Sequence, residues 1–122
     1  MEEIRWEETD PQGQRVVLKA STFDEHIINA HDAVDANYRL QAEEQAKRAI
    51  AHPHIIIRYP HLNDRRVYYK LILMPDKEGL PKVKSIRVVV DADREPNEVV
   101  TWVVESRLRG RAVEEWIIYG DD

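Results

Sequence analysis

From Arg65 to Val104 the chain alternates in a way that suits a pleated surface. Three runs stand out: RRVYYKLILM (65–74), VKSIRVVVD (83–91) and EVVTWVVES (98–106). Each is rich in Val, Ile, Tyr, Trp and Thr, whose branched or flat side chains pack well on a sheet. The breaks between them, PDKEGLPK and ADREPN, carry the Pro, Gly and Asp of turns. A parallel return needs a dozen or more residues, so breaks this short predict neighbouring antiparallel strands. HIIIRY (54–59) predicts a strand before them, and EEWIIYGDD at the end adds one more strand-like piece. Near the start, Ile4–Glu8 and Gln14–Ala20 flank the turn signal TDPQG and predict a hairpin. Val16 and Leu18 would share one of its faces, Val17 and Lys19 the other.

Between hairpin and strands the period changes from 2 to 3.6. Thr22-x-x-Glu25 has the spacing of a capping box. Phe23, Ile27, Ala30, Val34 and Tyr38 then form an apolar helical stripe, and the pattern continues to Ile50, where Pro53 must stop it. DAVDAN (32–37) is a poor helix interior, because Asp and Asn compete for backbone hydrogen bonds. The expectation is two consecutive helices with a joint near residues 32–38.

These elements predict an α+β fold, with the N-terminal hairpin and the helices packed on one face of a four- to five-stranded antiparallel sheet. Alternation puts Val67, Tyr69, Leu71 and Leu73 on one side of the first long strand, with Arg66, Tyr68, Lys70 and Ile72 on the other. On the second, Ile86, Val88 and Val90 oppose Ser85, Arg87 and Asp91. On the third, Val99, Thr101 and Val103 oppose Val100, Trp102 and Val104. The reading that follows has an apolar face under the helices and an outward face bearing Arg, Lys and Tyr.

A chain of 122 residues with 43% hydrophobic residues is expected to make one domain, 1–122, without staples. It has no cysteine, which excludes disulfides, thiolate nucleophiles and cysteine-ligated zinc. The acidic start MEEIRWEETD is unlike a secretory signal, and no apolar run is long enough to span a bilayer. A cytoplasmic protein that does not engage a membrane is expected. The net charge is −5, unusual for a nucleic-acid binder, but it is unevenly spread. Residues 1–35 hold nine acids and three bases, whereas residues 58–111 hold twelve bases and eight acids. The positive charge therefore accompanies the strands, which permits an anionic ligand without requiring one.

Phosphate-binding glycine loops and the serine-hydrolase elbow are absent, and the chain has only four glycines. No cofactor is expected. Metal ligation is not expected either: His26 and His31 are five residues apart rather than four, and His52-x-His54 with His61 nearby lacks a metal-binding pattern. Two sets of residues can carry chemistry. Arg66, Lys70 and Arg87, with Tyr68, suit phosphodiester recognition, since Arg offers a bidentate fork and Tyr a stacking surface. The plain alternative is the solvated face of a sheet. His31, at the edge of the helical stripe, is a candidate general acid or base, or else a half-buried interface histidine. His26 lies about 140° around the helix from it, so the two do not serve one atom on a regular helix. RLRGR (107–111) reads as a solvated turn or a backbone-phosphate clamp.

The order of EHIINAH (25–31), AIAHPHIII (49–57), RRVYYK (65–70), SIRVVVD (85–91) and EVVTWVV (98–104) resembles the phage and mobile-element branch of the Barnase–EndoU–colicin–RelE-like (BECR) nuclease superfamily, over residues 22–106. The resemblance implies a metal-independent endoribonuclease of toxin or phage-effector type, cleaving RNA by attack of the 2′-hydroxyl. It places a catalytic histidine at His31 or His26, basic and aromatic groups at Arg66, Tyr68 or Lys70, and a hydroxyl at Thr101. It also implies RNA as substrate and an antitoxin or immunity protein as partner. Trp102 stands where the family has a small residue, and Thr101 shares a face with Arg66 only if a bulge or register shift intervenes. The alternative is a non-catalytic protein- or nucleic-acid-binding domain of the same fold, with homodimerisation through an edge strand such as EEWIIY.

Overall fold

In a computed structural model, residues 3–29, 32–59, 64–76, 78–105 and 117–120 are described. Strands β1 (Ile4–Thr9) and β2 (Arg15–Lys19) form the predicted hairpin. Helix α1 (Ala20–Thr22) follows directly and continues as a π-helical stretch, Phe23–Ile28, closed by the Asn29 N–H donating to the Asp24 carbonyl. Then come α2 (Ala33–Gln41) and α3 (Glu43–Ala51), and strands β3 (Ile55–Tyr59), β4 (Arg65–Pro75), β5 (Pro81–Asp91), β6 (Asn97–Glu105) and β7 (Ile117–Gly120). No described helix is long and apolar enough to cross a membrane.

The fold is α+β, but the sheet is larger than expected. All seven strands join it in the order β1-β2-β6-β5-β4-β3-β7. The hairpin is thus part of the sheet rather than a layer on it. A short parallel contact, Val16 opposite Asn97 and Val17 opposite Glu98, attaches it. The pairs β3–β4, β4–β5, β5–β6 and β3–β7 are antiparallel, and β7 holds one edge.

The same turn closes two hairpins. Asp10 Oδ1 accepts from the N–H groups of Gln12 and Gln14, and Asp76 Oδ1 accepts from those of Glu78 and Leu80. In each turn the residue before the last is a glycine with positive φ, Gly13 at 84° and Gly79 at 81°, a conformation that a side chain would strain. The Asp76 carboxyl is held below its usual pKa, first by its bond from Leu80.

Helix boundaries follow local chemistry. Thr22 does not cap: β2 runs straight into the helix, and Lys19, in extended backbone, takes the N-cap position without a side-chain bond. Asp32 does cap, accepting from the Asp35 N–H, so α2 begins at the head of DAVDAN and the rest of that segment is helical. A second break at Ala42 separates α2 from α3, which ends at Ala51 ahead of Pro53. Along α3, Ala42, Ala46, Ala49 and Ile50 are buried at helical spacing, and their small size lets the helix lie close to the sheet. Phe23 and Ile27 of the predicted stripe are buried, Tyr38 is partly buried, and Val34 is exposed.

The main core gathers these residues with Val16, Leu18, Ile56, Tyr68, Ile72, Met74, Ile86, Val88, Val90, Val99 and Trp102. Trp102 is fully buried, its ring centroid 6.1 Å from Phe23 and 6.3 Å from Trp6. Register then settles the faces: Tyr68 lies opposite Val88, and Val88 opposite Trp102. The helix-covered face of β4 is therefore the Arg66, Tyr68, Lys70, Ile72 side, the reverse of the expectation. Val67, Tyr69, Leu71 and Leu73 occupy the other face, where Val67 and Tyr69 form a second buried cluster with Ile57. Both faces of β4 carry apolar residues, so alternation alone did not mark which one the helices cover.

Candidate functional site

The residues nominated for chemistry are distributed over several places, and most are engaged structurally. Tyr68 is buried within the core, and its hydroxyl donates to Asp10 Oδ2 at 2.6 Å. Burial, reinforced by the Asp10 carboxylate, pushes the phenol well above its ordinary pKa. A ring in this position offers no stacking surface to a ligand. Arg66 lies beside it, its Nη1 3.9 Å from Asp10 Oδ2 and buried without a hydrogen bond. Asp10 comes from the β1–β2 turn, so this turn reaches Tyr68 on the helix-side face of β4.

Several other basic positions on the strands are paired. Arg65 meets Asp91 at 3.0 Å, Arg58 meets Asp64 at 2.7 Å, and Arg87 meets Glu105 at 3.6 Å. Lys70 Nζ donates to the His52 carbonyl at 2.6 Å, satisfying an acceptor at the C-terminus of α3. Among the described residues, four bases of this part of the sequence, Arg58, Arg65, Lys70 and Arg87, thus have partners. Of the described histidines, His26 lines a different hollow from His52. His54 Nδ1 accepts from the Leu71 N–H at 3.0 Å, which extends the β3–β4 pairing by one position. His31 and RLRGR lie outside the described residues. Among the described residues, no three His, Asp or Glu side chains are arranged to hold a metal ion.

One cleft does unite two nominated residues. His26 and Thr101 both line a depression of about 510 Å³ between the π-helical stretch and β6, with Thr22, Arg39 and Arg94. Local irregularities build it. The π-helical turn displaces the exposed His26 from where a regular helix would carry it. On β6, Val100 bulges: Val99 faces Val90, while Thr101 faces Val89. The bulge keeps Thr101 in the row of Val89 and Val67, off the face that bears Arg66.

Arg39 was not nominated from the sequence, yet it organises this cleft. It donates to Thr101 Oγ1 at 3.1 Å and to the Trp102 carbonyl, and its Nε meets Asp35 at 3.1 Å. Trp102 Nε1 returns a bond to the Arg39 carbonyl at 3.0 Å. The exchange seats α2 on the strand edge that β2 leaves uncovered beyond Glu98. The available signal was Asp35-x-x-x-Arg39, an i,i+4 pair on a helix.

A second hollow, about 560 Å³, lies at the end of α3, where Lys47, Arg48, His52 and Lys70 meet Glu8 and Glu44. Its cations complement the negative end of the helix, and two acids dilute them. A third, about 940 Å³, is a groove between α2 and the β4–β5 turn. Comparison with protein-family models, curated proteins and solved structures finds no match.

Proposed function

We propose that this chain is a non-catalytic interaction domain that binds another protein through the end formed by the β4–β5 hairpin and α2. The observation that carries the reading is a set of aliphatic side chains left in water there. Val34 is 82% exposed, Leu71 54%, Leu73 64%, Leu80 60% and Val83 64%. Leu73 and Val83 are direct cross-strand partners, and Leu71 lies two residues along the same face. In a chain with 34% charged residues, several large aliphatics on one projecting hairpin are a patch rather than scatter. The ion pairs made by Arg58, Arg65 and Arg87 weigh against a phosphodiester surface on the same strands.

The test measures association by light scattering and RNA binding by electrophoretic shift, each across a salt series. An interaction domain shows association with itself or a partner chain that persists at high salt and is lost in a Leu73→Asp, Val83→Asp double variant that remains folded. RNA affinity falling steeply with salt would refute it.

The second reading is the endoribonuclease, favoured by the convergence of His26 and Thr101 on the cleft with Arg39 and Arg94. There His26 would move the 2′-hydroxyl proton, and the two guanidiniums would answer charge building on phosphorus. RNA cleavage by purified protein in EDTA, lost in His26→Ala or His31→Ala, would establish it. An uncut RNA pool would remove it. The antitoxin or immunity partner stands or falls with that activity. Dimerisation through the β7 edge is an outcome of the scattering experiment.

A further inference from the structure

Resting on the interaction reading, we infer that the groove between α2 and the β4–β5 turn takes a short peptide segment carrying one aliphatic or aromatic anchor flanked by Lys or Arg. The groove encloses about 940 Å³, room for a large side chain and its neighbouring backbone. Val34, Tyr38 and Pro75 supply its apolar lining. The Tyr38 hydroxyl is buried without a hydrogen-bond partner, and desolvation raises its pKa, so it stays a proton donor.

The rim decides the sign of the partner. Among the described residues, Asp32, Asp35 and Asp76 line the groove against Lys84, and Lys82 acts on Asp76. Asp32 and Asp76 accept hydrogen bonds from their own backbones. Asp35 is partly offset by Arg39. Three acids against Lys82 and Lys84 leave a small excess of acid at the rim among the described residues, which favours basic flanks over acidic ones. A second copy of this chain, at −5 overall and with acids concentrated in its first third, fits less well than a basic partner.

The seating of α2 points the same way. This nine-residue helix has no buried residue. Helices so short depend on tertiary packing of an apolar face. Here Asp32 and the exchange between Arg39 and Trp102 hold it while Val34 and Leu40 face solvent. A peptide laid against Val34 and Tyr38 completes that packing.

The experiment titrates the full ¹⁵N-labelled chain with two pooled sets of short synthetic peptides. Both vary the central residue over Leu, Ile, Phe and Tyr; one is flanked by Lys and Arg, the other by Glu. The basic set shifts the amides of Val34, Tyr38, Asp76 and Gly79, and the acidic set does not. Val34→Ser weakens binding roughly fivefold to tenfold, the loss of one partly buried aliphatic contact. Lys84→Gln strengthens it about twofold to fivefold, as expected for removing one exposed like charge. Circular dichroism verifies that both variants keep the fold. Equal binding of both sets, or variants without effect, overturns the groove proposal. Shifts confined to Leu71, Leu73 and Val83 also overturn it but leave the interaction reading intact. Shifts from neither set, with no association in light scattering, end both.

Discussion

Replacing Tyr68 by Phe removes one oxygen from the middle of the protein and leaves the ring. In the native chain that hydroxyl donates to Asp10 Oδ2 at 2.6 Å in a site closed to water. Asp10 Oδ1 already accepts two backbone N–H groups of its turn, whereas Oδ2 otherwise has only Arg66, at 3.9 Å. The variant therefore strands a buried carboxylate oxygen. Hydrogen bonds to charged groups contribute about 1.5–3 kcal/mol, and an unanswered buried acceptor falls in the same range, so a loss of about 2–3 kcal/mol is expected. For a chain this size that is roughly 6–12 °C in Tm. Urea unfolding checks it, and a cycle with Asp10→Asn isolates the pair, with a coupling of about 1.5 kcal/mol or more. The pair also has an alkaline signature. Its phenol pKa is raised by folding, so the native state keeps a proton that the unfolded chain loses above about pH 10. The contribution is complete below that pH and falls as pH rises toward the raised native value; the Phe variant lacks this loss. A loss under about 0.5 kcal/mol, or a Tyr68 phenolate appearing at the ordinary pH, would refute the reasoning.

Other expectations are simpler to check. Glu43 accepts from Arg5 and from Trp6 Nε1, and its pKa is lowered, chiefly by Arg5. This stabilisation is present above the ordinary glutamate pKa and is lost as pH falls from there through the lowered native value, so Glu43→Gln flattens the acid limb of a stability–pH curve. Arg39→Ala frees the Trp102 carbonyl at the strand edge, and hydrogen exchange accelerates first in α2 while β4 and β5 stay protected. Trp102→Ala costs about 3–5 kcal/mol by emptying the largest fully buried volume, seen as a collapse of the urea midpoint.

Much of the chain was readable because its signals were local. The runs at 54–59, 65–74, 83–91 and 98–106 correspond to β3–β6, and Pro53 ends α3 where a missing N–H must. What escaped notice depended on distant partners. The parallel contact of Val16 and Val17 with Asn97 and Glu98 leaves no mark in either segment. The orientation of β4 was hidden because Val67 and Tyr69 are buried as well as Tyr68 and Ile72, on opposite faces. Thr22-x-x-Glu25 matched a cap in spacing, but the preceding strand left no free helix start there. Asp32-x-x-Asp35 was the working cap and was read only as a weak interior. The charges of Arg58, Arg65 and Arg87 were legible; their carboxylate partners, Asp64, Asp91 and Glu105, were not.

The slender seam between β2 and β6 has a consequence for how the chain acquires its shape. The meander β4–β5–β6 closes through contacts near in sequence, which form early and cost little loop entropy. Val16 and Val17, by contrast, find their sheet partners only at Asn97 and Glu98. During synthesis the N-terminal segment emerges first yet has no sheet to join until nearly the whole chain has followed. It waits with Val16, Val17 and Leu18, all buried in the finished fold, still in water. The nine acids of residues 1–35 place like charges on that segment, which disfavours its association with another copy while those side chains are exposed.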